Sequence, residues 1–181
     1  MIVLDHEKLF DVGQRETLLD HCFGPARWQK TCELLRHGRL PSPGLAFVAR
    51  ADDLVVGTVR LWDVAAGNAP FLMLGPLAVS PACRSLGLGR QLMARAISQA
   101  RSLGHRAMFL VGDEPYYARF GFRADLTDGL ALPGPVDRRR FLGLELQEGG
   151  FAGLRGLIRP TGAVPLRPAG TDAARAWRAV A

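Results

Sequence analysis

Apolar positions change their spacing several times along the chain, and each change marks an element. From Gly13 to Phe23, Leu18, Leu19 and Cys22 fall on one side of a 3.6-residue repeat, which predicts a short helix ended by Gly24-Pro25. Trp28, Cys32 and Leu35 keep helical spacing from Ala26 to Arg36 and predict a second helix. The stretch H-G-R-L-P-S-P-G then interrupts the pattern. Two β-rich runs follow, L-A-F-V-A-R-A and L-V-V-G-T-V-R-L-W, separated by Asp52-Asp53, as in an antiparallel hairpin.

After the turn Gly67-Asn68-Ala69-Pro70, the run F-L-M-L-G-P-L-A-V is apolar on both faces and reads as a central buried strand. Gly75-Pro76 lies in its middle. Proline has no N–H for the ladder, so the strand should bulge and part from a neighbour there. From Leu88 to Leu103 the stripe Leu88, Leu92, Ala96 with Ile97, Ala100 and Leu103 predicts an amphipathic helix. Arg90, Gln91, Arg95, Ser98 and Arg101 face out, and Gly104 stops it. R-A-M-F-L-V-G is a further buried strand. Pro115 opens a short helix that Gly121 ends, and F-L-G-L-E-L-Q is a late strand. Beyond Gly149 the chain is rich in Gly, Pro and Arg, with a short helix expected in T-D-A-A-R-A-W-R-A-V. The class is α+β, with an antiparallel front half and a strand–helix–strand crossover.

Composition narrows this little. At 181 residues with 48% hydrophobic and 22% charged positions, the chain has the make-up of one globular domain with a real core. No apolar run is long enough to span a bilayer and M-I-V-L-D-H-E-K has no signal-peptide core, so a cytoplasmic protein without membrane contact is expected. Cys22, Cys32 and Cys83 form no C-x-x-C pair, and the four histidines are scattered, so no metal is expected. The net charge of +6 suits an anionic partner. Its densest cluster, Arg138-Arg139-Arg140, reads as a solvated loop, and no nucleic acid is expected.

The stretch R-S-L-G-L-G-R-Q-L changes the picture. Gly87 and Gly89 stand at the mouth of the long helix, where the first N–H groups lack partners within the helix and its dipole favours an anion. Arg84 and Arg90 add charge-assisted donors, and a pyrophosphate is the natural guest. A dinucleotide fingerprint fits poorly, because Leu92 holds the third glycine position and S-P-A-C-R-S separates strand from glycines. Asp113 nevertheless stands about where a ribose-binding acid belongs. A P-loop is excluded, since no G-K-[ST] follows.

L-A-V-S-P-A-C-R-S-L-G-L-G-R-Q-L-M resembles the acetyl-CoA signature of the GNAT superfamily of N-acetyltransferases, with Arg84, Gly87 and Gly89 in the signature positions. Further on, Y-Y-A-R-F-G-F resembles that family's second signature, a short helix with a tyrosine four residues before Gly-Phe. The hairpin ahead of them matches the family's layout, and the likeness runs over roughly residues 14 to 147.

The resemblance implies a mixed, mostly antiparallel sheet splayed at the bulged strand, with a catalytic domain over residues 1–147 and an extension over 148–181. It implies a pantetheine arm in the splay, held by backbone of Leu77, Ala78 and Val79. The pyrophosphate would then rest on the amides of Arg84, Ser85, Leu86, Gly87, Leu88, Gly89 and Arg90. Tyr117 takes the place of the family's general acid; a buried aromatic bonded to backbone is the alternative. Tyr116 beside it packs or touches the coenzyme. The acid that relatives often carry on the bulged strand is missing, so no base is assigned. Asp113 and Glu114 either serve through water or cap the Pro115 helix. Trp28, Trp62 and Phe71 either line an acceptor pocket or belong to the core, and Cys83 is not expected to carry an acyl group. The expected activity is acetyl transfer from acetyl-CoA to a primary amine. A coenzyme-binding module without turnover is the alternative. The late strand and tail offer a surface for a homodimer.

Overall fold

The computed structural model describes residues 1–165. A twisted sheet runs in the order β1-β2-β3-β4-β5-β7, with β1 at Ile2–His6, β2 at Ala46–Ala51, β3 at Leu54–Ala66, β4 at Ala69–Val79, β5 at Ala107–Val111 and β7 at Phe141–Glu145. All neighbours on this path are antiparallel except β4 and β5. A short strand β6 (Leu130–Ala131) pairs with β8 (Gly156–Pro160), and β8 in turn extends β3 at Val64–Ala66. Helices α1 (Val12–Phe23) and α2 (Glu33–Arg36) lie against one face and α3 (Leu88–Ser102) against the other, while α4 (Glu114–Tyr117) follows β5.

Side-chain alternation along β4 explains how the bulge works. Leu72 and Leu74 pack into the α3-side core, whereas Phe71 and Met73 pack toward α2. Past Gly75-Pro76 the α3-side residues are Leu77 and Val79, and Ala78 turns to α1. A regular strand would have kept the even-numbered positions on one face; the added residue flips the parity. The register against β3 slips at the same place, from Val59↔Leu77 to Leu61↔Leu74. Glycine carries the distortion at φ 134°.

The long helix forms as its periodicity predicts except at its end, where it stops at Ser102 and Leu103 is exposed. Leu88, Leu92, Met93, Ala96, Ile97 and Ala100 are buried, and burying each large aliphatic is worth about 1.5–3 kcal/mol. The helix expected from Ala26 to Arg36 is instead broken. A turn of 3-10 helix ends at Gln29, Lys30 is extended, and α2 begins only at Glu33. Arg27, within the 3-10 turn, is drawn inward by Glu16 and Asp20 of α1. The edge strand β1 and the strands β6 and β8 were not expected. Each is short, and β8 lies in the Gly/Pro/Arg-rich tail. The helix expected in 171–180 lies outside the described residues.

Candidate active site

Strands β4 and β5 pair at only two positions, Leu72↔Met108 and Met73↔Phe109. Beyond Met73 they diverge, and among the described residues the backbone edge of β4 that faces β5 has no ladder partner from Leu74 onward. Between them opens a cleft of about 510 Å³. Leu74 to Leu77 form one wall and Leu110 to Asp113 the other, and the space continues under the segment between α1 and α2. The splay anticipated from Gly75-Pro76 is therefore present. Trp62 helps hold it, its indole N–H donating to the carbonyl of Gly75.

Tyr117 borders this cleft. Its ring packs edge-on to Phe122, with centroids 6.0 Å apart, and rests on Gly112. The hydroxyl donates no hydrogen bond to the protein among the described residues, and it is not a buried orphan. Among the described residues the phenol is not tied to backbone. Burial pushes the Tyr117 pKa up to about 12, with the neighbouring Tyr116 and Asp113 adding to the effect, so the phenol keeps its proton at neutral pH.

At the other end of β4 the chain forms a 3-10 turn, Pro81–Leu86. It then passes through Gly87 at φ 71° and enters α3 at Leu88. No side chain caps α3 and its first turn holds no acid, so the leading amides stay open to a guest. Arg84 and Arg90 flank this mouth, exposed and without a carboxylate partner among the described residues. Tyr116 leans over it. A β-carbon on Gly89 would lie 2.7 Å from the Tyr116 hydroxyl, so only glycine admits this approach. The rings of Tyr116 and Tyr117 touch edge to face at 4.9 Å and link the helix mouth to the cleft.

Several expected residues fall elsewhere. Ala78 is buried against α1, so only its backbone is available. The Val79 carbonyl accepts the Cys22 thiol at 3.5 Å and is partly spent. Residues 84–90 and Tyr116 lie outside the cleft lining, at the far end of β4. Asp113 occupies the cap position of α4, but its side chain makes no cap hydrogen bond; it pairs with Arg140 at 3.2 Å. Phe71 and Trp62 are core residues, and Trp28 is half exposed, stacked on Arg27 at 3.9 Å. None of the three lines the cleft. The arginine triplet is exposed, as expected of a solvated loop, and makes local contacts. Arg138 donates to the carbonyls of Leu130 and Thr127, and Arg139 pairs with Asp137.

Two functional features have almost no signal in the sequence. Gly112 seats Tyr117, and its only mark is a glycine closing the β5 run. Lys30 and Arg36 reach the cleft from the broken segment, a placement that the expected helix hid.

Comparison with known proteins agrees with this fold. Residues 14–122 match the model of the Acetyltransferase (GNAT) family. The uncharacterized N-acetyltransferase YjhQ of Escherichia coli K12 is 27% identical over 139 residues, covering 74% of this chain and 75% of the relative. The uncharacterized N-acetyltransferase YhbS of the same strain is 30% identical over 117 residues, covering 63% and 70%. A crystal structure of E. coli YhbS in complex with CoA superimposes with a TM-score of 0.75 at 27% identity, covering 88% of this chain and 89% of that one. A Brucella melitensis GNAT family acetyltransferase, solved with acetyl-CoA, shares the fold at a TM-score of 0.59 and 24% identity, covering 92% and 96%.

Proposed function

The chain belongs to the GNAT family of acetyltransferases, and from that premise we propose that it moves the acetyl group of acetyl-CoA directly to a primary amine. The observation that carries this reading is the parting of β4 from β5 after Met73, which leaves a strand edge free beside Tyr117. An extended pantetheine arm has the hydrogen-bonding pattern of a strand and can complete that edge. The bound CoA of the YhbS structure supports the choice of coenzyme.

In this reading the uncapped leading amides of α3, with the two flanking arginines, take the pyrophosphate. Backbone N–H groups near Leu77 polarise the thioester carbonyl, where oriented donors are most effective. The neutral amine attacks the carbonyl carbon, a C–N bond forms, and the C–S bond breaks. The departing thiolate takes the Tyr117 proton, and the amine's surplus proton passes to water and back to the phenolate. With its pKa raised to about 12, the phenol is fully protonated at the start of each cycle. β4 carries no carboxylate, and the two that line the cleft, Asp113 and Asp137, are paired with Arg140 and Arg139; in this reading the amine enters as its free base and activity follows the amine's own ionisation.

Thermal shift tests binding and thiol release tests turnover. Acetyl-CoA at ~100 times its Kd should raise Tm by roughly 5–10 °C, and NAD should not. Free thiol should then appear with an amine panel. Stabilisation without thiol release would favour the binding module, and no stabilisation by acetyl-CoA would end both readings.

A further inference from the structure

Six charged side chains line the cleft, and their pairing is uneven. Four are cations (Arg27, Lys30, Arg36 and Arg140) and two are carboxylates (Asp113 and Asp137). Arg27 is engaged by Glu16 and Asp20, Arg36 by Glu33 at 2.6 Å, and Arg140 by Asp113 at 3.2 Å. Asp137 is taken by Arg139 at 2.9 Å. Among the described residues this leaves Lys30 as the lining cation with no carboxylate. Its ammonium lies 4.5 Å from the centre of the Phe23 ring.

The placement of Lys30 is built into the fold. Thr31 next to it donates to the Pro135 carbonyl at 2.6 Å, which ties this segment to the loop carrying Asp137 and Arg140 across 104 residues of sequence. The lysine is thus held in the lining of the same cleft that Tyr117 borders. Partial burial lowers its pKa, and the guanidiniums of Arg36 and Arg140 lower it further, an unfavourable crowding of like charge that a bound anion relieves.

Resting on the acetyltransferase reading above, we infer that the acceptor is a small primary amine that also carries an anionic group, a carboxylate or a phosphate, which pairs with Lys30 while the amine points to Tyr117. Cationic acceptors such as polyamines meet repulsion from the same lining. The volume of about 510 Å³ suits an amino-acid-sized molecule beside the coenzyme arm.

The test is a matched panel assayed by thiol release. α-Amino acids are compared with their methyl esters, and phosphoethanolamine with ethanolamine. The anionic member of at least one pair should have kcat/KM about tenfold or more above its neutral counterpart, and the pair that separates identifies carboxylate or phosphate. In Lys30→Gln that preference should collapse through KM, and in Lys30→Glu it should invert toward the cationic amines. The acetyl-CoA thermal shift of both variants should match the parent. Equal use of charged and uncharged members, or a preference that survives Lys30→Glu, would overturn this inference and leave the acetyltransferase reading standing. No turnover with any amine, or loss of the acetyl-CoA shift in the parent protein, would remove both.

Discussion

Tyr117 rests on Gly112 with no room for a methyl group between them: a β-carbon on Gly112 would fall 2.2 Å from Cε2 of the ring. The contact is made across the end of β5, whose last residue is Val111, and it fixes where the phenol enters the cleft. Gly112→Ala must therefore push the ring away. Displacing a reacting group by about 1 Å can cost up to ~100-fold in rate. The expected result is a fall in kcat of at least tenfold, with a smaller change in KM for acetyl-CoA. Steady-state kinetics decide it, and wild-type kcat in a normally folded variant would remove Tyr117 from the chemistry.

The raised pKa of Tyr117 makes a statement about pH. The neutral phenol is the proton donor, and it persists until pH approaches about 12. As pH rises from 7 to 10, kcat/KM should climb with deprotonation of the amine and show no descending limb from Tyr117. Tyr117→Phe should lower kcat by about 10²-fold, the usual contribution of a positioned general acid. A descending limb near pH 8 that disappears in Tyr117→Phe would contradict the raised pKa.

Gly89 makes a separable prediction. Its missing side chain admits the Tyr116 hydroxyl at the mouth of α3. Gly89→Ala displaces Tyr116 and narrows the approach to the leading amides, so affinity for acetyl-CoA should drop while the fold is retained. Alanine is also the better helix former, by about 1 kcal/mol, so Tm should hold or rise as binding weakens. Calorimetric titration with acetyl-CoA, paired with thermal melting, checks both halves.

Far from the cleft, Asp11 is buried and accepts from Arg50 Nε at 2.8 Å and from the backbone N–H of Lys8 at 2.7 Å. The bond from Arg50, foremost, holds its pKa below the ordinary carboxylate value. The unfolded chain therefore binds this proton more readily than the folded one. The resulting stabilisation is complete above the unfolded carboxylate pKa of about 4, and is lost as pH falls through the lower folded value. Asp11→Ala leaves Arg50 without its main partner and should cost about 3 kcal/mol at pH 7. Urea unfolding should find that difference shrinking as the pH is lowered from about 5 toward 3.

Elements whose apolar spacing extends over several turns or strand repeats are legible in the order of residues alone. Helices α1 and α3, the β2–β3 hairpin, β4 with its distortion, β5, α4 and β7 all stand where patterning puts them. The elements that patterning misses lack such a signal. The edge strand β1 is paired on one side only, and β6 and β8 depend on each other and on β3. The break between Ala26 and Arg36 leaves no mark in the spacing of Trp28, Cys32 and Leu35, which is helical throughout, and that spacing also says nothing of Arg27 pairing with Glu16 and Asp20 of α1. Of the candidate site, the Gly87–Gly89 mouth and the tyrosine pair were visible as local motifs, whereas the seat at Gly112 was not.

Sequence alone determined what local geometry and composition determine here: the glycine-rich helix entry with its two arginines, the proline that forbids a continuous ladder in β4, and the tyrosines ahead of Gly121. Those are properties of a few adjacent residues. Tertiary structure decided which of them meet, and with what charge around them. Only the folded chain brings Tyr117 onto Gly112, turns the Ala78 side chain away from the cleft, and pairs every cation lining the cleft except Lys30 among the described residues. Such pairings join residues far apart in sequence, and hydrophobic periodicity carries no information about which distant charge will be left over when the others have found partners.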